Sequence, residues 1–284
     1  MSLIKIENEY VSAILNTKAG YIESIVSKKD GKEHAWQYNP SVWPRRTAVC
    51  FPLCGKCRDD HFIYGGKSYD SPNHGFLRER DLTVVSRESA HLVLEDSWDE
   101  STLERYPFRY SYRIEYTLEK ESLLIAYSVK NLGDGTMYYS TGSHYAYALE
   151  KKQEESFIYF EKKEDAPSFS QADGSLSGTS VMGERLSLSG VIDSTSLILD
   201  LDTLSSKWVG VGDEEGIFTR IKGDGFRYLI IWAPQGGHND FVCVEFWDGM
   251  GQVETRGDRL EEKWAVRTLE KGEERHYLQT VTLC

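Results

Sequence analysis

Glu245 is the residue most out of keeping with its neighbours. It sits in Phe241-Val-Cys-Val-Glu-Phe-Trp247, a run with the alternation and apolar content of a strand. In extended chain its side chain shares a face with Phe241, Cys243 and Trp247. A carboxylate there is costly unless paired or hydrogen-bonded. Burial also raises its pKa, which suits a general base working near neutrality. The alternative is a strand end where the carboxylate reaches water, since Asp248 and Gly249 follow as a turn. His144, in Gly142-Ser-His-Tyr-Ala-Tyr147, ends a strand over residues 137–141. It lies among Tyr127, Tyr138, Tyr139, Tyr145 and Tyr147, and reads equally as a proton donor or as a satisfied core group. His74, in Ser71-Pro-Asn-His-Gly-Phe-Leu-Arg78, occupies a turn from which His74 and Arg78 can both project. An acid, an imidazole and a basic group around aromatic side chains suit polyol chemistry. Aromatic faces stack on the C–H faces of sugars while His and carboxylate handle hydroxyl protons. The carboxylate pairing of glycoside hydrolases, a Gly-rich phosphate loop and a G-x-S-x-G elbow are missing from the sequence.

Cys50, Cys54 and Cys57 are spaced C-x3-C-x2-C, with His61 four residues on. That spacing invites an iron–sulfur cluster, a redox Cys-x-x-Cys or a zinc site. The first two belong to folds of alternating strands and helices, and a zinc site usually draws on two separated knuckles. Small hydrophobes near a strand and turn are the simpler reading, with no metal expected. Five cysteines without framework spacing also point to a reducing cytoplasm.

The elements that would position these residues are strands. The chain has 284 residues and a formal net charge of −12, which argues against nucleic-acid and polybasic membrane partners. No apolar run approaches the ~20 residues of a membrane helix. Residues 108–118 alternate Phe, Tyr, Tyr, Ile, Tyr and Leu with polar residues, and 123–130 alternate again after a polar turn, as a long antiparallel hairpin. A dozen further short strands recur from residue 3 to residue 282. One short helix is expected over 101–106, with Ser101 and Glu104 as a capping box. The Ser/Gly-rich stretch 165–183 reads as a long surface loop. No composition step divides the chain, so residues 1–284 are expected to form a single all-β domain, a large antiparallel β-sandwich.

The ordered segments Phe51-Pro-Leu-Cys-Gly-Lys56, His74-Gly-Phe-Leu-Arg78, Tyr106-Pro-Phe108, Asn131, Gly142-Ser-His144, Trp232 and Val242-Cys-Val-Glu245-Phe-Trp247 resemble the aldose 1-epimerase (galactose mutarotase) superfamily, its bacterial aldose epimerase-like branch in particular. The resemblance runs from about Leu3 to the C-terminus and implies the galactose mutarotase-like supersandwich. It implies a small-molecule sugar as ligand and no cofactor, because only O–H and C–O bonds change. Glu245 would take the anomeric hydroxyl proton and His144 would protonate the ring oxygen. His74, Arg78 and Lys56 would bind hydroxyls, and Trp232 or Trp247 would stack. The chain departs from the family pattern at Lys56, where arginine is usual, and at Tyr145, Tyr147 and Phe246, which are expected to crowd or repolarise the cleft. The sugar-binding Asp of the family falls at Thr195, with Asp193 two residues off. A hexose-6-phosphate mutarotase, using Arg45, Arg46 and Arg78 for the phosphate, is a close alternative. A non-catalytic sugar-binding or sensor protein on the same fold is another. The sugar and the oligomeric state are not legible.

Overall fold

The computed structural model describes residues 1–44, 48–169, 176–189, 196–234, 240–251 and 257–284, without the side chains of 176–179. The predicted hairpin forms as Tyr110–Glu119 and Ser122–Asn131, with Leu118 opposite Leu123, Tyr116 opposite Ile125 and Tyr112 opposite Val129. Its apolar positions are buried and the intervening polar ones half-buried or exposed, as period-2 patterning requires. Tyr110, Tyr112, Ile114 and Tyr116 have no exposed surface. Burial of that size stabilises by about 1.5–3 kcal/mol per large side chain.

Among the described residues this hairpin is central to a nine-stranded antiparallel sheet. The sheet runs from Leu176–Ser187 through Ser156–Phe169, Val209–Asp213, Gly216–Asp224 and Glu274–Leu283 to the hairpin. It ends at His91–Ser97 and Thr83–Arg87. A six-stranded sheet comprises Leu197–Asp200, Tyr228–Trp232, Phe241–Asp248, Thr141–Ser143, Tyr145–Ala148 and Val49–Cys50. A three-stranded sheet, Leu3–Glu7, Val11–Asn16 and Ile22–Ser27, adds to the same core. The two large sheets pack face to face. Polar tips that this buries find partners across the interface. Tyr112 Oη lies 2.9 Å from Thr141 Oγ1, and Gln279 Nε2 donates to Tyr147 Oη at 2.6 Å. The architecture is the expected all-β sandwich. No helix among the described residues is long and apolar enough to cross a membrane.

Three local expectations are corrected. The helix is Glu100–Arg105, and its capping box is Asp99 with Thr102 rather than Ser101 with Glu104. Asp99 holds the extended backbone of an N-cap and takes the Thr102 N–H at 2.9 Å. Within the stretch 165–183 the described residues are strand, since Ser156–Phe169 and Leu176–Ser187 pair as an edge ribbon, and 170–175 lie outside the described residues. A ladder of backbone hydrogen bonds does not depend on apolar side chains, so Ser/Gly composition hid it. The buried Glu164 carboxylate helps hold the ribbon by accepting the Ser205 and Ser206 N–H groups at 3.0 and 2.6 Å.

The strand bearing Glu245 runs through Asp248, which the sequence alone suggests as the start of a turn. Asp248 is completely buried and ties the end of that strand to its surroundings. It pairs with Arg267 at 2.5 Å and Arg275 at 3.2 Å, and accepts the Tyr277 hydroxyl at 2.8 Å. Removing one partner of a fully buried pair costs about 3–5 kcal/mol. Arg267 and Arg275 keep 31% and 41% of their side chains in water, so Asp248→Ala is expected to lower the unfolding free energy by about 2–3 kcal/mol, below that range. Urea denaturation of both proteins checks it.

Candidate active site

His144 and Glu245 are 101 positions apart in sequence and adjacent in space because of strand register. In the antiparallel ladder Gly142 lies opposite Trp247 and Tyr145 opposite Val244. The same register sets His144 opposite Glu245, where the pairing is interrupted. There the Phe246 N–H donates to Ser143 Oγ at 3.1 Å and the His144 N–H to the Ala48 carbonyl at 2.8 Å. On its other side Glu245 faces Ile230 across the ladder. The result is a carboxyl 1% exposed, with Oε1 3.4 Å from His144 Nδ1. Gly142 makes room for the neighbouring indole, since a Cβ there would overlap the Trp247 ring.

The pair lies on the face of the six-stranded sheet turned away from the nine-stranded one, at the floor of a cavity of about 310 Å³. Trp43, Lys56, Asn73, His74, Arg78, His144, Ser196, Trp232, Glu245 and Trp247 line it. All seven residues singled out in the sequence are therefore brought together. His74, His144, Glu245 and Trp247 are buried, Arg78 and Trp232 are half-buried, and Lys56 is exposed. Trp43, Asn73 and Ser196 are additions. Asn73 precedes His74 inside a segment already noted, whereas nothing in the sequence distinguishes Trp43 or Ser196. Trp43 stands 5.3 Å from the His144 ring and 5.1 Å from Trp232, centroid to centroid. The indoles and imidazoles make an aromatic wall with a polar floor.

His74 meets the His144 ring edge-on at 4.8 Å and Trp247 at 5.5 Å. It adopts φ +65°, unusual outside glycine, and Gly75 follows at φ +70°. A Cβ on Gly75 would overlap the Phe51 carbonyl. His74 Nδ1 accepts the Gly55 N–H at 3.2 Å, and Cys50 Sγ lies at the same distance. The neutral ring therefore carries its proton on Nε2 and offers the cavity a donor. This is what Cys50 does in the fold. Cys50 and Cys54 pack with Ile198, Tyr228, Ile230, Trp247 and Met250, while Cys57 belongs to the main core. Burial pushes the Cys50 and Cys57 thiols up, so they remain protonated hydrophobes. His61 begins a separate two-stranded ribbon opposite Asp70.

The expected crowding by Tyr145, Tyr147 and Phe246 is overturned. Alternation sends residues 145 and 147 to the face opposite His144, and residue 246 to the face opposite Glu245. All three side chains are buried in the core between the sheets. Tyr145 Oη lies 3.4 Å from Tyr116 Oη there. Arg45, Arg46, Asp193 and Thr195 lie outside the described residues.

Burial pushes the Glu245 carboxyl well above the usual carboxylate range. Burial lowers His144 to about 3, with the Arg78 charge adding to the effect. Burial also lowers His74 far below its usual value, helped by His144 and Arg78. Both shifts favour a single proton on the His144–Glu245 pair, held by the carboxyl. His144 Nδ1, Glu245 Oε2 and Trp247 Nε1 are buried without a hydrogen-bond partner. Such atoms cost about 1–3 kcal/mol each when left unmet, and a polyhydroxylated ligand would meet them.

A stability consequence follows. His34, buried away from the cavity, is lowered by burial to about 4. For His34, His74 and His144 the unfolded chain gains a proton below pH ~6.5 that the folded chain refuses, so stability falls as pH drops. For His34, whose folded value is about 4, that is roughly 2 kcal/mol between pH 6.5 and 5. Glu245 works in the opposite sense, because its folded form keeps a proton that the unfolded form releases. His34→Gln is expected to remove roughly 2 kcal/mol of the fall in unfolding free energy over that interval. Denaturant titrations of both proteins at the two pH values read it.

A family model described as aldose 1-epimerase matches residues 2–171. The chain belongs to the aldose 1-epimerase family. The matched span contains Lys56, His74, Arg78 and His144, and Glu245 lies beyond it. Among particular relatives, the chromosomal and plasmid LacX proteins of Lactococcus lactis subsp. lactis are 28% and 27% identical, each comparison covering 92% of both chains. The fold is shared with a galactose mutarotase related enzyme from Lactobacillus acidophilus, with a TM-score of 0.91, 24% identity and coverage of 100% of this chain and 97% of that one. A galactose mutarotase-like protein from Lactobacillus casei ATCC 334 shares it too, with a TM-score of 0.90, 23% identity and full coverage of both chains.

Proposed function

We propose that this protein interconverts the α and β anomers of an aldose by acid–base-catalysed ring opening and closing. The observation that carries the reading is the His144–Glu245 pair, 3.4 Å apart at the floor of an aromatic-walled cavity. The anomeric oxygen and the ring oxygen of a pyranose are bonded to the same carbon. The two groups serving them must be close neighbours, and a cross-strand pair is. Ring opening takes a proton from the anomeric hydroxyl and delivers one to the ring oxygen, so the pair needs a total of one proton. The opposite shifts of His144 and Glu245 on burial favour that count. Transfer from Glu245 to His144 gives carboxylate and imidazolium at unchanged net charge. Glu245 then acts as base toward the anomeric hydroxyl and His144 as acid toward the ring oxygen. The C1–C2 bond rotates, and the roles reverse on closing. His74 Nε2–H, Arg78 and Lys56 hold hydroxyls, and Trp43, Trp232 and Trp247 offer faces for stacking. Polarimetry of freshly dissolved α-glucose and α-galactose tests the reading. Acceleration by the protein beyond the spontaneous rate supports it. Sugar binding without acceleration of any aldose would leave a binding protein on this fold.

A second reading has its own observation. Lys56 and Arg78 line the cavity, and burial disfavours the charged form of Glu245, the carboxyl lining it among the described residues. Two cationic side chains thus line the cavity of a chain of net charge −12. A phosphorylated aldose fits this field. Adding hexose 6-phosphates to the same assay separates the two substrates by their kcat/KM ratio.

A further inference from the structure

The cavity floor borders a titratable group that this chemistry leaves unused. Cys243 is completely buried, two residues from Glu245 on the same face of Phe241–Asp248 and opposite Trp232. Ligand atoms of His144, Cys243 and Glu245 all lie within 4.8 Å of one another. The 3.4 Å between His144 Nδ1 and Glu245 Oε1 is already close to the spacing of two ligands on a tetrahedral zinc, whose bonds are about 2.0–2.3 Å. Only the sulfur has to close in, by roughly 1 Å. His144 Nδ1 and Glu245 Oε2 are buried and without partners, so coordination would break no existing hydrogen bond at these atoms.

One nitrogen, one sulfur and one oxygen form a set that selects zinc and its neighbours over magnesium or calcium. The charge also closes. A dication replacing the Cys243 thiol proton and the Glu245 carboxyl proton, both released to solvent, leaves thiolate, carboxylate and metal with no net charge. A neutral assembly is what a low-dielectric site tolerates. His144 and Glu245 both line the cavity, so a water from it could supply the fourth ligand of a tetrahedral ion.

We propose that His144, Cys243 and Glu245 form a binding site for a zinc-like divalent transition metal, and that occupancy switches off proton transfer by engaging His144 and Glu245. The switching rests on the proposed anomer interconversion, whereas the binding does not. The test is titration of the full chain with Co²⁺. One equivalent is expected to raise a thiolate-to-cobalt charge-transfer band and the intense visible bands of four-coordinate cobalt, both displaced by Zn²⁺. Cys243→Ser and Cys243→Ala, with native far-UV circular dichroism, should lose the charge-transfer band, although Cys50, Cys54, Cys57 and Cys284 remain. No band in the wild type, or a band surviving in both variants, would overturn the site. In polarimetry the Zn²⁺ concentration for half-inhibition should rise at least about tenfold in Cys243→Ala, with its metal-free rate unchanged. Undiminished activity with cobalt bound would overturn the switching alone. If no sugar is turned over, the cobalt spectrum still decides the site.

Discussion

Glu245→Gln is expected to reduce kcat/KM for anomer interconversion by about 10²–10⁴-fold, the contribution of a positioned acid–base group, while raising stability at neutral pH. The amide keeps the size of the carboxyl and its place opposite His144, but it neither takes nor gives the proton. The loss should appear in kcat more than in KM, because the proton moves only in the transition state. The stability gain has the same electrostatic origin. The folded carboxyl ionises well above the usual range, so the unfolded chain loses its proton first as pH rises. From the ordinary carboxylate pKa upward, wild type therefore loses stability by about 1.4 kcal/mol per pH unit until the folded group also ionises. Glutamine has no such loss. The Tm difference should grow between pH 5 and 7 and shrink toward pH 4. Polarimetry and thermal melts of the same two preparations read both effects. Full activity in Glu245→Gln would remove this residue from the chemistry, and a fall in Tm at pH 7 would contradict its burial as a neutral acid.

His144→Asn is the second large effect, again about 10²–10⁴-fold in kcat/KM. Its informative feature is non-additivity. If His144 and Glu245 hold a single proton between them, removing either disables the unit, and the double variant should be little worse than the poorer single variant. Two independent contributors would instead multiply. The pH profile separates the pair further. Activity needs one proton on it, so the acid limb follows His144, lowered to about 3, and the alkaline limb follows Glu245, above the usual carboxylate range. A plateau across the neutral region with limbs set wide apart is the expected profile. An ordinary histidine limb near pH 6.5 would place His144 in water instead.

Part of this is inseparable from Asp248. It anchors the strand that carries Glu245 and Trp247 through two arginines and Tyr277. A disturbance there would reach the cavity through backbone, with no contact to substrate. It escaped the sequence reading because an acidic residue before glycine at the end of an apolar run looks like a turn. Only the neighbouring strands bring Arg267, Arg275 and Tyr277 to it. Trp43 was equally silent. One tryptophan among seven has no local signature, and its place beside His144 depends on how residues 36–44 cross the outer face of the sheet.

What the residues determined alone was local and periodic. Alternation over 108–118 and 123–130 defined a hairpin and its buried face, because side chains on a strand must point to opposite sides. The conflict between Glu245 and its neighbours marked a functional candidate, because a buried carboxyl needs a reason. The ordered motifs around Lys56, His74, His144 and Glu245 pointed to one family, and those residues do line one cavity. Tertiary structure decided which face was which. Parity places Tyr145 opposite in sense to His144, but only the packed second sheet makes one side core and the other cavity, and so carries the tyrosines away from the site. It also decided the partnership of His144 with Glu245, since strand register is set by the whole sheet and no local pattern encodes which residue will stand across from which.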